Sequence, residues 1–89
     1  MVHKAGTDIN ATLAEREKTH GSFSNHAKIE TALRNIMEIN AELSDLQHIG
    51  LGMILHKVAR ILNQGHNHID SWHDIAGYAT LVERGMSSE

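Results

Sequence analysis

Between residues 45 and 64 the chain reads DLQHIGLGMILHKVARILNQ, and this segment limits the available folds more than any other. Leu46, Ile49, Leu51, Met53, Ile54, Leu55, Val58, Ala59, Ile61 and Leu62 leave only a narrow polar strip around a helix. A helix that is apolar nearly all round must be covered on most of its sides. It does not suit a bilayer, which needs about 20 predominantly apolar residues in a row. Ser44 opens the segment as a capping-box residue, with Gln47 reaching back to it. Gly50 and Gly52 each cost about 1 kcal/mol relative to alanine inside a helix. They make sense where another backbone approaches closely, within the fold or across an interface between copies.

The flanking segments supply the cover. From Ser24 or Asn25, the residues Ile29, Ala32, Leu33, Ile36 and Met37 follow the spacing of one buried helical stripe. A break follows at residues 40–43. Gly65 ends the central helix and HNHI is a short connection. Asp70 or Ser71 then opens a last helix, with Trp72, Ile75, Ala76, Ala79 and Val82 as its inner face and Arg84-Gly85 as its close. Before these, Asp8 or Asn10 caps a short leading helix through ATLAEREKT. His20-Gly21 ends it, since glycine takes the left-handed conformation without steric cost. The expected fold is all-α, with three main helices and a short N-terminal one in a single domain over residues 8–85. Residues 1–7 are expected to be a flexible tail and residues 86–89 a second tail.

A chain of 89 residues buries little of its surface alone, so the bundle is expected to be completed by self-association into a homo-oligomer. There is no cysteine, hence neither disulfide frame nor thiolate metal site. No signal peptide is expected, because MVHKAGTDIN lacks an apolar centre, and a cytoplasmic location follows. The net charge of −3 argues against a general DNA-binding surface, and no membrane partner is expected. Eight histidines are many for this length, and protonating all of them would carry the formal charge to +5.

Several polar groups stand out. Lys57 and Arg60 share a helix face, with Gln64 one turn on and His56 and Asn63 at its border. They either pair with Asp70 and Asp74 to hold the bundle together or bind a phosphate or carboxylate. Residues 66–74 hold three histidines and two aspartates. Asp70 at a helix start is explained by the helix dipole, whereas Asp74 lies a full turn inside. Asp70 and Asp74, spaced i, i+4, make a sparse Mg²⁺ site. His66, His68 and His73 add nitrogen donors, so Asp70, Asp74 and His68 are the metal candidates. His20-Gly21-Ser22 offers backbone N–H groups to an anion, or is an ordinary turn. No nucleophile elbow, P-loop or dinucleotide fingerprint is present.

REKTHGSF, LSDLQ, HKVARIL and HIDSWHDIAGYATLV together resemble a family of small helical proteins from bacteriophages and prophages, of unknown function. The resemblance covers roughly residues 15–83. It rests on a Tyr/His-Gly turn, a Lys-x-x-Arg helix and a closing His-x-Asp-x-x-x-Asp-x-x-Gly-Tyr pattern. These fall on His20 and Gly21, Lys57 and Arg60, then His68, Asp70, Asp74, Gly77 and Tyr78. The resemblance implies a phage accessory gene acting in the cytoplasm of the infected host. A looser similarity is to the MazG-type all-α nucleotide pyrophosphohydrolases, which need Glu-x-x-Glu and Glu-x-x-Asp pairs on successive helices. Here Glu38, Glu42 and Asp45 straddle the expected break, and Asp70 and Asp74 are four apart.

The expected function is therefore binding of a nucleotide or nucleotide-like small molecule without conversion. His20, Gly21, Lys57, Arg60, His68, Asp70, Asp74 and Tyr78 are the expected ligand-binding residues. Cations suit phosphate, aspartates suit hydroxyls or base N–H groups, and Tyr78 suits stacking. Sequestration of a host defence signal is one concrete version. A metal-dependent pyrophosphohydrolase and a structural or protein-interaction module are the alternatives.

Overall fold

In the computed structural model, backbone is described for residues 2–39 and 42–88, and side chains for residues 8–39 and 42–88. Among the described residues there are four α-helices and no strand, so the protein is all-α. They are α1 (Val2–His20), α2 (Phe23–Met37), α3 (Asp45–Arg60) and α4 (Ile69–Ser87), with a π-helical turn at Ile61–Gly65 prolonging α3. Of the expected break, Asn40 and Ala41 lie outside the described residues.

Local hydrogen bonding accounts for the helix starts. Ser44 closes the expected capping box: its Oγ accepts from Gln47 N–H at 3.1 Å, and its own N–H donates to Gln47 Oε1 at 3.0 Å. The cap of α2 is Ser22 rather than Ser24 or Asn25, its Oγ accepting from Asn25 N–H at 3.1 Å. The shift follows from Gly21, whose φ of +82° stops α1 as expected and delivers an extended Ser22. Helix α4 starts at Ile69 with His68 at the cap position, which leaves Asp70 in the first turn and Ser71 behind it.

Three ends differ from expectation. Helix α1 begins at Val2, so the tail expected over residues 1–7 is helical from that residue. Helix α4 continues past Gly85 to Ser87, because Gly85 packs against α3 instead of turning the chain. A Cβ there would stand 2.5 Å from Leu46 Cδ2. The central helix leaves α-geometry after Arg60, and the positive φ near its end belongs to Gln64, at +129°, not to Gly65. A non-glycine residue held there is strained, by a cost on the order of 1–3 kcal/mol.

Helix α3 packs chiefly on α4 and then on α2, while α1 meets the rest mainly at the π-turn. The molecule is elongated, 49 × 26 × 26 Å, with a radius of gyration of 15.8 Å. A compact chain of this length would have about 12 Å. Both flanking helices present a different face to α3 than their apolar residues suggest. On α2 the inward positions are His26, Ile29, Glu30, Leu33, Arg34 and Met37, while Ala32 and Ile36 point outward. On α4 they are Ser71, Ile75, Tyr78, Val82 and Gly85, and Trp72 is 55% exposed. Ser71 and Gly85 let the helices approach, and Trp72 instead covers the preceding connection, its Nε1 donating to the His66 carbonyl at 3.0 Å. Gly50 and Gly52 are buried as expected of close approaches, but side chains meet them: Val82 at Gly50 and Arg34 at Gly52. Ile49, Leu51 and Leu62 of the central segment remain exposed in the single chain.

Two glycines should respond oppositely to alanine. A Cβ on Gly50 would collide with Cγ2 of Val82, a stiff β-branched side chain. Overpacking costs about 1–3 kcal/mol, more than the helix-propensity gain of about 1 kcal/mol, so Gly50→Ala should lower the melting temperature. Nothing lies within 4 Å of a Cβ on Gly77, so Gly77→Ala should add about 0.5–1 kcal/mol. Thermal melts of the two variants beside the parent protein check both signs.

Candidate functional site

The site is organised by Asn63, which is 4% exposed and lies in the π-turn. Its Nδ2 donates to the Ser22 carbonyl at 2.9 Å, and its Oδ1 accepts from Asn25 Nδ2. Gly21 rests directly on the Asn63 side chain and carbonyl, so any Cβ there would clash. This latch clamps the α1–α2 turn onto the end of α3. It brings His20 against His68, whose rings meet edge-on with centroids 4.9 Å apart.

Beside the latch opens a cavity of about 370 Å³. This lies within the range of small-molecule sites. Leu13, Arg16, Glu17 and His20 come from α1, Gly21, Phe23 and His26 from the turn and α2, and His56 and Arg60 from α3. Among the described residues neither Arg16 nor Arg60 has an ion-pair partner. Their charge is felt at His20, whose pKa is held below its ordinary value of 6.5. Burial is the first cause, followed by repulsion from Arg60, His68, Lys57 and Arg16. His20 is therefore neutral at pH 7, in a positive field. Its Nδ1 is buried without a hydrogen-bond partner among the described residues.

One wall of the cavity belongs to a polar cluster between α2 and α3. Glu30 Oε1 accepts from His26 Nε2 and from His56 Nδ1, each at 2.7 Å, and Glu30 Oε2 accepts from Arg34 Nε at 2.8 Å. Arg34 Nη2 also donates to the Gly52 carbonyl at 3.2 Å, where the missing side chain leaves room for the guanidinium. Burial alone would raise the Glu30 pKa. The hydrogen bonds from Arg34, His26 and His56 outweigh it and bring the carboxyl down to about 2. Glu30 is thus an ionised acceptor, and the two ring nitrogens facing it carry the protons.

The residues expected from sequence divide into three groups. His20, Gly21 and Arg60 line the cavity, and His68 touches it through His20. Lys57 and Asp74 form an ion pair, Nζ to Oδ2 at 2.9 Å, with the Lys57 side chain only 12% exposed. The Lys57 hydrogen bond holds the Asp74 carboxyl below its usual pKa, with slight burial opposing it and Lys57, His73 and Arg60 adding attraction. Asp70 is exposed at the start of α4, where the helix dipole favours a carboxylate. Tyr78 is half-buried on the inward face of α4 and does not line the cavity. Asp70, Asp74 and His68 do not come together as a ligand set among the described residues, whereas His26, Glu30 and His56 do. The contributions of Leu13, Arg16, Glu17, Phe23, His26 and His56 were not expected. Their signals are the i, i+4 pairs Leu13–Glu17 and Arg16–His20, and the run His26-x-x-x-Glu30-x-x-x-Arg34.

The Glu30 cluster makes stability acid-sensitive. Its carboxyl titrates at about 2 in the folded protein against an ordinary 4.5, so between those values the unfolded chain binds the extra proton. This stabilisation is complete above about pH 5 and is lost as pH falls toward 2, on the order of 3 kcal/mol in all. Denaturant melts between pH 7 and 2.5 should show that decline. The same series on Glu30→Gln should start lower at pH 7 and run flatter. An equally steep decline in the variant would place the acid sensitivity elsewhere.

The family described as "Domain of unknown function (DUF6378)" matches residues 3–85. The chain is also similar to the Gene 55 protein of Mycobacterium phage D29, with 41% identity over 70 residues. That match takes in 79% of this chain and 44% of the phage protein, so the chain spans less than half of that relative's length. No solved structure matches significantly.

Proposed function

We propose that the chain, which belongs to the DUF6378 family, binds an anionic, nucleotide-like small molecule in the cavity between α1, α2 and α3. The observation that carries this reading is the pair Arg16 and Arg60, which have no ion-pair partner among the described residues, set around a neutral His20 in a cavity of about 370 Å³. Arginine forks suit phosphate, Leu13 and Phe23 offer apolar and aromatic surface for a base, and Glu17 is an acceptor for hydroxyl or base N–H groups. Compared with the expectation from sequence, the binding set moves toward α1 and α2. Lys57 and Asp74 become a supporting ion pair, and Asp70 and Tyr78 lie outside the cavity.

In biological terms, the similarity to a phage gene product supports a phage accessory role in the cytoplasm of an infected host, with sequestration of a nucleotide signal as its concrete form. Self-association belongs to the same proposal. Ile36, Ile49, Leu62, Ile69, Trp72 and Leu81 are each more than half exposed in the single chain, and a second copy would cover such residues. The MazG-like hydrolase reading has less support, since Glu30 stands among two histidines and an arginine instead of beside other carboxylates. The Lys57–Asp74 pair is what the interaction-module reading would also predict.

Titration calorimetry with mononucleotides, dinucleotides and cyclic nucleotides tests the proposal. One class should bind without turnover. Arg60→Lys keeps the charge but loses the fork, so affinity should fall about tenfold or more. The melting temperature should hold, because Arg60 has no ion pair to lose among the described residues. A bound anion stabilises imidazolium, so saturation should also raise the His20 pKa, read from its ring C–H resonances in a pH titration. Absence of binding by every nucleotide at millimolar concentration, or a His20 pKa unmoved by a ligand that does bind, would remove this site.

A further inference from the structure

We infer that His26, Glu30 and His56 form a binding site for a divalent first-row transition metal ion, with its open coordination positions facing the cavity. Each residue offers one donor atom, His26 Nε2, Glu30 Oε1 and His56 Nδ1, and the three lie within 4.8 Å of one another. Two imidazole nitrogens and one carboxylate oxygen are the donor set of zinc and non-haem iron sites. Mg²⁺, which favours oxygen ligands, is a poor match.

The geometry is close to what a metal requires. Both nitrogens already point at one carboxylate oxygen from 2.7 Å, bridged by their protons. Donors about 2.0–2.1 Å from a tetrahedral ion stand about 3.3 Å apart, so to admit the ion each nitrogen opens from the carboxylate oxygen by about 0.6 Å, and the two nitrogens, which lie within 4.8 Å of one another, settle at that same spacing. The ion takes the place of the two bridging protons. If the imidazoles are neutral, each moves its proton to the other ring nitrogen and no net proton is released. Glu30 needs no deprotonation, being already ionised near neutral pH. The rings are neighbours, with centroids 4.8 Å apart, so both reach one point.

The surroundings are those of a supported site. Arg34 Nε holds Glu30 Oε2, which fixes the carboxylate and leaves Oε1 for the ion. Orienting contacts of this kind raise the precision of metal ligands. His26 is 7% exposed and its Nε2 is tied to Glu30 at 2.7 Å, so its ring is held in place. Two helices supply the ligands, His26 and Glu30 one turn apart on α2 and His56 across on α3, and both histidines line the cavity. With three protein donors, the remaining positions take water or an anion, and Arg16 and Arg60 lie on the same cavity to favour an anion. The site stands independently of the nucleotide reading, because the metal alone is its ligand.

The test is calorimetric titration of the chelator-treated 89-residue chain with Zn²⁺, alongside Co²⁺ absorption spectra that report coordination. One ion per chain should bind, with Co²⁺ giving the intense visible bands of a low-coordinate site. His56→Gln and Glu30→Gln should each weaken binding by about tenfold or more, as should His26→Gln. A His66→Gln/His73→Gln double variant, which alters exposed histidines, should bind as the parent does. Should the cluster variants unfold, the parent protein still decides: bound Co²⁺ should shift the ring resonances of His26 and His56 far more than those of His66 and His73. Absence of binding, affinity unchanged in folded cluster variants, or shifts centred on His66 and His73 would each overturn the site.

Discussion

The buried side chain of Asn63 ties the α1–α2 turn to the end of α3. One amide group satisfies the Ser22 carbonyl and receives Asn25, and Gly21 lies against it. Buried amides are costly unless their hydrogen bonds are made. Once made, the bonds fix the turn between α1 and α2 to one position on α3. Helix α1 has little other attachment, since it meets the rest chiefly at the π-turn. The direction in which α1 leaves the bundle, and hence the cavity between α1, α2 and α3, depends on this latch. The π-turn is the means: it re-aims Asn63 inward, and the strain at Gln64 accompanies that change in direction.

The contact between α2 and α3 carries a polar cluster beside Ile29, Leu33 and Met37, where a purely apolar seam was expected. Glu30 would be destabilising at this burial without its donors, and three side chains supply them. Such a network sets one register between the helices, because a slide of a single turn would leave Glu30, Arg34 and the Gly52 carbonyl unmatched. It also consumes Arg34 and Glu30 completely. Arg16 and Arg60 on the cavity wall are not drawn into this network, and with His68 and Lys57 they make the field at His20 positive.

Features governed by neighbours in sequence were legible in advance. The Ser44–Gln47 capping box and the left-handed Gly21 need only their own few residues to form. The all-α class followed from helical spacing alone. What escaped depended on the partner surface. Hydrophobicity placed Ala32 and Ile36 inward on α2 and Trp72 inward on α4, yet hydrogen-bonded polar residues decided the α2 face and the small Ser71 and Gly85 the α4 face. Ser71, Gly85 and Gly52 are chosen by what sits opposite them. Gly85 therefore read as a helix stop, although its role is to admit Leu46. The candidate site was half legible for the same reason. His20, Gly21 and Arg60 stood out by spacing, but His26 and His56 acquire meaning only when α2 and α3 are brought together.

Lys57 and Arg60 show how one helix turn separates two roles for the same charge. Both lie on one face of α3, and the sequence leaves each open as a structural cation or an anion ligand, Arg60 by its fork and Lys57 as a point charge. The Lys57 ammonium reaches α4 and is neutralised by Asp74, an ion pair at a partly exposed carboxylate. Arg60, one turn later and nearer the π-turn, faces α1, where no carboxylate pairs with it among the described residues. A guanidinium tolerates this better than an ammonium, being more weakly hydrated and always charged. Asp74 also attracts Arg60 at longer range, so the carboxylate lessens the charge on the α4 side of the helix. The cavity side therefore keeps the Arg60 guanidinium, with no ion-pair partner among the described residues.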